Sequence, residues 1–237
     1  MLKDPTGERF SPYYDKEGNF LGLDENGWKG SIYISTQDAF NASAIDGIAN
    51  SNILQANKNT TLIYSFANLS NEALAKIYSS ILFETGYASR DNLHNGSISV
   101  YNGSSVNGVA QGYNNPLFAG RAKTDNSNFG GKINVTVNSS ARSEFNTVES
   151  VQSYLGVHEY KGHGILNYDG GWDTGGNHYK AWELQYKDKT FNALSDYHKQ
   201  DIINNTINYM YNENRSLYNS HQSSNSQLFQ LYRKYRY

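Results

Sequence analysis

The sequence predicts an α+β protein, and three observations carry that reading. Short runs of β-branched and aromatic residues, bounded by polar turn residues, recur through the first half and have strand chemistry. Apolar residues recur with helical spacing at 71 to 85, at 146 to 158 and at 194 to 211. With 237 residues, 38% of them hydrophobic, the chain can bury the core of one large domain.

Residues 1–30 read as a β-hairpin leader. Tyr13-Tyr14 and Phe20-Leu21 flank the polar, glycine-containing turn Asp15-Lys16-Glu17-Gly18-Asn19, and Asn26-Gly27 is a second turn signal. The domain proper is expected over 31–215. Residues 31–35 and 61–66 are predicted strands, with a short helix in the Asn- and Ala-rich piece at about 38 to 58. Ser70-Asn71 can cap a helix over 71 to 85, whose stripe of Leu74, Ile77, Ile81 and Leu82 is core packing and which Gly86 ends. His94 lies in a polar linker and is expected to be solvated. Residues 97–101 read as a strand. Residues 102 to 130, rich in Gly, Asn and Ser, read as a long loop forming a wall or lid of a cleft. Residues 132–137 alternate with period 2 and would be the last strand before the motif helix. The Ser/Asn/Gln-rich tail, 216–237, ends in alternating basic and aromatic residues and is expected to pack locally or fray.

Chemistry concentrates in His158-Glu159-Tyr160-Lys161-Gly162-His163-Gly164. Neutral imidazole is the commonest protein ligand for zinc, and a carboxylate beside a ligating His can take a proton from metal-bound water. The stretch therefore reads as a hydrolytic zinc site. Asn146-Thr147-Val148-Glu149 has the shape of a capping box, and Val148, Val151 and Leu155 share a helix face with His158, turning it toward the core. The two histidines are five apart. On an ideal α-helix that is about 140° of rotation, too wide for one metal, against about 40° for a spacing of four. The helix is expected to carry an i→i+5 bulge or to loosen near its end, where Gly162 and Gly164 tolerate unusual backbone angles. After a glycine-rich turn over 169–176, Asn177 can cap a second helix to about residue 187, so that two helices cross at the metal. That helix carries His178 and Glu183, which face different directions, one expected to bind zinc and the other to serve nearby. His178 or Tyr179 is the candidate for stabilising an oxyanion. Ser195 can cap the helix over 194 to 211, leaving Asp196 and His198 as exposed cap-region residues.

His-Glu-x-x-Gly-His-Gly resembles the zinc motif of the dipeptidyl peptidase III family, an insertion variant of the HExxH motif of gluzincin metallopeptidases. Carried over residue by residue, the resemblance implies His158 and His163 as zinc ligands, Glu159 as general base and Glu183, downstream on the second helix, as the third ligand. His178 is the rival ligand and otherwise a catalytic group. The resemblance also implies a zincin-like fold, a small mixed sheet packed on helices with the metal between the motif helix and a following helix. In zincins a sheet-edge strand binds the substrate backbone as an added strand, and residues 132–137 or 97–101 would do so here. Within the leader, Asp4-Pro5-Thr6-Gly7 resembles the segment that closes the core of RHS-repeat proteins ahead of a variable C-terminal toxin domain. The two resemblances imply a zinc metallopeptidase acting as the effector of a secreted polymorphic toxin, delivered into a target cell as part of a larger polypeptide of which Met1 is not the natural start. Its expected partners are a peptide or protein substrate and a cognate immunity protein.

Composition removes other classes. The absence of cysteine excludes thiolate nucleophiles, disulfides and Cys-based zinc sites, leaving His and carboxylate as ligands. A net charge of -2 gives no electrostatic case for nucleic acid or an anionic membrane. No apolar run approaches the roughly 18 to 20 residues of a bilayer span. No feature argues for an oligomer, and a monomer is expected. Low charge (18%) and 20 Tyr suit an extracellular or delivered protein. Two rival readings use the same residues: peptidoglycan amide hydrolysis by the same zinc machinery, and a non-catalytic surface binding module whose histidines are structural.

Overall fold

A computed structural model describes residues 11–25, 27–45, 48–66, 69–101, 122–125, 130–139, 143–168 and 176–235. The Asp4-Pro5-Thr6-Gly7 segment and the turn at 169–175 lie outside the described residues. The chain begins with β1 (Pro12–Tyr14), β2 (Phe20–Leu23) and β3 (Tyr33–Ile34). Asp15 shapes the turn between β1 and β2 by accepting the backbone N–H groups of Glu17 at 3.0 Å and Asn19 at 2.7 Å, and Gly18 supplies the positive φ of 78°.

This hairpin continues into the strands that follow it. β1 pairs in parallel with β3, giving a sheet of order β2-β1-β3-β6 once β6 (Thr61–Leu62) is reached. Tyr13 and Tyr14 are wholly buried, Tyr13 stacked on Tyr33 at 5.2 Å and the Tyr14 hydroxyl bonded to Ser80 at 3.3 Å. Apolar aromatic area, not turn chemistry, thus decides where the segment goes. Between β3 and β6 lie α1 (Gln37–Ser43), β4 (Ala44–Ile45), β5 (Ile48–Ala49) and α2 (Ser51–Gln55), gathered on a small core of Tyr13, Ala39, Phe40, Ala49 and Leu54.

α3 (Asn71–Glu84) follows the expected pattern. Ser70 accepts the Ala73 N–H at 3.1 Å, Leu74, Ile77, Ile81 and Leu82 are buried, and Gly86 beyond the end takes φ 74°. A second sheet holds β7 (Ser99–Tyr101), β8 (Ala122–Asp125) and β9 (Asn134–Asn138) in the order β7-β9-β8, with β7 parallel and β8 antiparallel to β9. Two expectations are corrected here. β8 lies inside the stretch read as a long loop, because pairing with β9 makes a strand of a sequence that has no apolar alternation. β9 is the central strand, its Val135 and Val137 wholly buried, so its edges are occupied and it cannot take on a substrate strand.

The rest is helical. α4 (Val148–Val151) runs directly into a π-helix (Gln152–Ile165), followed by α5 (Tyr179–Lys187), α6 (Asp196–Glu213), α7 (Arg215–Ser223) and α8 (Gln227–Tyr235). Ser195 caps α6 by accepting the His198 N–H at 3.3 Å. His198 is buried, not exposed, with Nδ1 at 2.9 Å from Ser195 Oγ and its ring against Tyr154, while Asp196 stays outside. The segment read as a tail forms α7 and α8, and Leu228 and Phe229 enter the same core as α3, β9, the π-helix and α6. Among the described residues no helix is long and apolar enough to cross a membrane.

Candidate metal centre

The motif helix starts one residue later than its sequence suggests. Thr147 is the cap, accepting the Ser150 N–H at 3.1 Å, while the Ser150 hydroxyl receives the Thr147 N–H at 3.2 Å. Glu149, expected to close that box, instead accepts the Gly30 N–H at 3.0 Å and ties the first sheet to this helix. From Gln152 to Ile165 the chain keeps the wider i→i+5 winding for 14 residues. That winding returns residues five apart to one side of the helix, so the rings of His158 and His163 approach to 4.8 Å between centroids. The expected departure from α-geometry is present, but it is continuous and not a bulge at the glycines.

Neither Gly162 nor Gly164 has a positive φ. Their contribution is space. A Cβ on Gly162 would stand 2.9 Å from Ala181 Cβ of α5, and one on Gly164 would stand 2.7 Å from Ile133 Cγ2. The missing side chains let α5 and the strand region close on the motif helix. Gly162→Ala is expected to push α5 outward and destabilise the fold by about 1–3 kcal/mol, measured by denaturant unfolding. An unchanged midpoint would show that the two helices do not depend on this close approach.

α5 brings the third imidazole. His178 directly precedes its first residue, and His178 Nε2 lies 3.1 Å from His158 Nε2. His163 Nε2 lies 3.2 Å from the same His158 atom. Three ring nitrogens thus converge on one point, and a ligand atom of each lies within 4.8 Å of the others. Hydrogen bonding alone does not account for this, because an imidazole nitrogen offers either one proton or one lone pair and His158 Nε2 faces two partners. The group could hold a shared cation. Zn–N bonds of about 2.0–2.1 Å at tetrahedral angles place nitrogen ligands roughly 3.3–3.4 Å apart, close to the separations found.

Protonation states suit the same role. His163 Nδ1 is bonded to the Tyr168 carbonyl, which places the proton on Nδ1 and leaves the Nε2 lone pair directed at the cluster. Burial, assisted by the neighbouring His163, pushes His178 down to about 3, so its ring is neutral over the physiological range. Trp182 packs on His158 at 4.3 Å and Tyr209 on His178 at 4.3 Å, giving the cluster an aromatic wall.

Glu159, next to the first of these histidines, is buried and accepts the Thr124 hydroxyl of β8 at 2.8 Å on Oε2. Burial raises its pKa, opposed by His163, the Thr124 bond and Lys123. Glu183 does not join the group. It pairs with Lys187 at 2.8 Å, one turn on along α5, and the third residue of the group that could hold a metal ion is its rival, His178. His178, expected as a catalytic group or as the rival ligand, has its Nε2 directed into the cluster. Tyr179 is buried, and its hydroxyl receives the Asn214 amide at 3.4 Å, at the C-terminal end of α6. His94 stands apart from the group, in a short 3-10 turn.

Thr124 and Tyr209 escaped the sequence reading, Thr124 for want of any strand signal. Trp182 was given no role either, although it follows His178 by four residues and so shares its side of α5. No protein-family model, curated protein or solved structure matches the chain. Fold and site together define a mixed α+β protein with a three-histidine group that could hold a metal ion.

Proposed function

We propose that this chain is a zinc-dependent metallopeptidase in which His158, His163 and His178 hold zinc and Glu159 is the general base for amide-bond hydrolysis. The observation that carries the reading is the convergence of three imidazoles, His178 and His163 Nε2 lying 3.1 and 3.2 Å from His158 Nε2, with a buried carboxylate on the adjoining residue. Imidazole donors suit zinc, and three protein ligands with a fourth position left for water or substrate is the pattern of catalytic sites. Bound there, zinc supplies Lewis acidity that acidifies water and polarises a carbonyl.

The remaining work falls to this chain's side chains. Thr124 anchors Glu159 through Oε2, which leaves Oε1 to accept the proton and return it to the leaving amine. Burial raises the pKa of this carboxyl, which favours its taking up a proton and holding it for return. Of the two strands first given the substrate-pairing role, 132–137 and 97–101, only the second lies at an edge, as β7; β8, the other edge among the described residues, carries Thr124 and lies beside the motif helix, so we give the role to β8 in this zincin-like arrangement. The wider setting, an effector domain delivered as part of a secreted polymorphic toxin and countered by an immunity protein, is supported by the resemblances of the Asp4-Pro5-Thr6-Gly7 segment and of the zinc motif.

Protein purified without added metal should carry about one zinc per chain and should cleave unfolded polypeptides. Metal-free protein that stays metal-free on zinc titration would defeat the reading. Release of fragments from cell-wall sacculi but not from polypeptides would keep the metal and move the bond cleaved to peptidoglycan.

A further inference from the structure

His178 occupies the cap position of α5, but its imidazole is turned into the histidine cluster and makes no cap bond. The first amides of that helix therefore need an acceptor from elsewhere. Glu213 provides it. The carboxylate, at the last residue of α6, is only 6% exposed, accepts the Tyr179 N–H at 3.0 Å, and has the His178 amide near enough to stabilise its charge. Oε2 takes this bond while Oε1 is buried with no hydrogen-bond partner among the described residues, so the Tyr179 contact is what offsets the cost of burying the carboxylate and holds both partners in place. Asn214, the next residue, reaches the Tyr179 hydroxyl and also caps α7 by accepting the Leu217 N–H at 3.0 Å. The end of α6, the start of α5 and the C-terminal helices thus meet at the backbone of the third donor.

We infer that Glu213 is the positioning residue for His178: it clamps the start of α5 so that the imidazole lies on the point shared with His158 and His163. This rests on the metal reading above. Glu213 touches neither metal nor substrate and acts through the backbone of residues 178 and 179. Such supports around ligands are worth about 10- to 100-fold in metal affinity.

The test compares zinc affinity, by chelator competition, and the visible spectrum of the cobalt-substituted protein across three variants. Glu213→Ala should bind zinc about 10- to 100-fold more weakly and show an altered cobalt spectrum. Ser195→Ala, which removes the cap at the opposite end of α6, should lower stability while leaving affinity and spectrum as in the wild type. Glu213→Gln keeps one acceptor oxygen and should fall between Ala and wild type; where the Ala variant does not fold, a loss in Gln carries the test. Wild-type affinity in the Glu213 variants, or an equal loss in Ser195→Ala, overturns the positioning role alone. Failure of the wild type to bind zinc overturns the metal reading and this role with it.

Discussion

His178→Ala should abolish stoichiometric zinc, while Glu183→Ala should leave it in place. Of three converging nitrogens, removal of one leaves two donors and a gap at the mouth of α5. Changes to groups that merely support ligands cost about 10- to 100-fold in affinity, so loss of a ligand itself should cost at least about 100-fold. Glu183 is engaged with Lys187, an i,i+4 pair on the helix surface of a kind that contributes only a few tenths of a kcal/mol. Metal content after dialysis, followed by chelator competition, separates the two. Zinc lost from Glu183→Ala, with His178→Ala still loaded, would return the third position to the carboxylate.

Glu159→Gln should keep the metal and lose turnover by about 10²- to 10⁴-fold, the usual worth of a positioned acid–base group. The substitution is nearly isosteric, and the amide oxygen can still accept the Thr124 hydroxyl. It also removes a carboxylate whose pKa burial has raised, which means the ionised form is disfavoured in the folded chain. The sign follows from linkage. A group with a raised folded pKa contributes stability that is present below its unfolded pKa and lost as pH rises through the folded value. At neutral pH the metal-free amide variant should therefore melt no lower than the metal-free wild type. Unaltered zinc content and melting with hydrolysis gone would isolate the proton-transfer role; cleavage at the wild-type rate would remove Glu159 from it.

What could be read along the chain was whatever depends on neighbours in sequence. Ser70 and Ser195 announced two helices because a hydroxyl bonding an amide three residues on is a local event. The stripe of Leu74, Ile77, Ile81 and Leu82 announced the buried side of α3 for the same reason. His158, Glu159 and His163 were recognisable as a group, and their five-residue spacing required a helix wound more widely than α.

What the chain order left open was settled by packing between distant segments. β8 exists because β9 offers it hydrogen bonds, not because Ala122-Lys123-Thr124-Asp125 favours a strand. Spacing showed that His178 and Glu183 point differently but not which of them meets the motif helix. That depends on the rotation of α5 about its axis, set where Ala181 and Trp182 are buried and Gly162 allows close approach. Sequence by itself thus determined the chemistry available, two imidazoles and a carboxylate on one helix. Only tertiary structure chose the third imidazole and supplied the Glu213 contact at its backbone, because the burial energies that orient whole helices are sums over residues far apart in the chain.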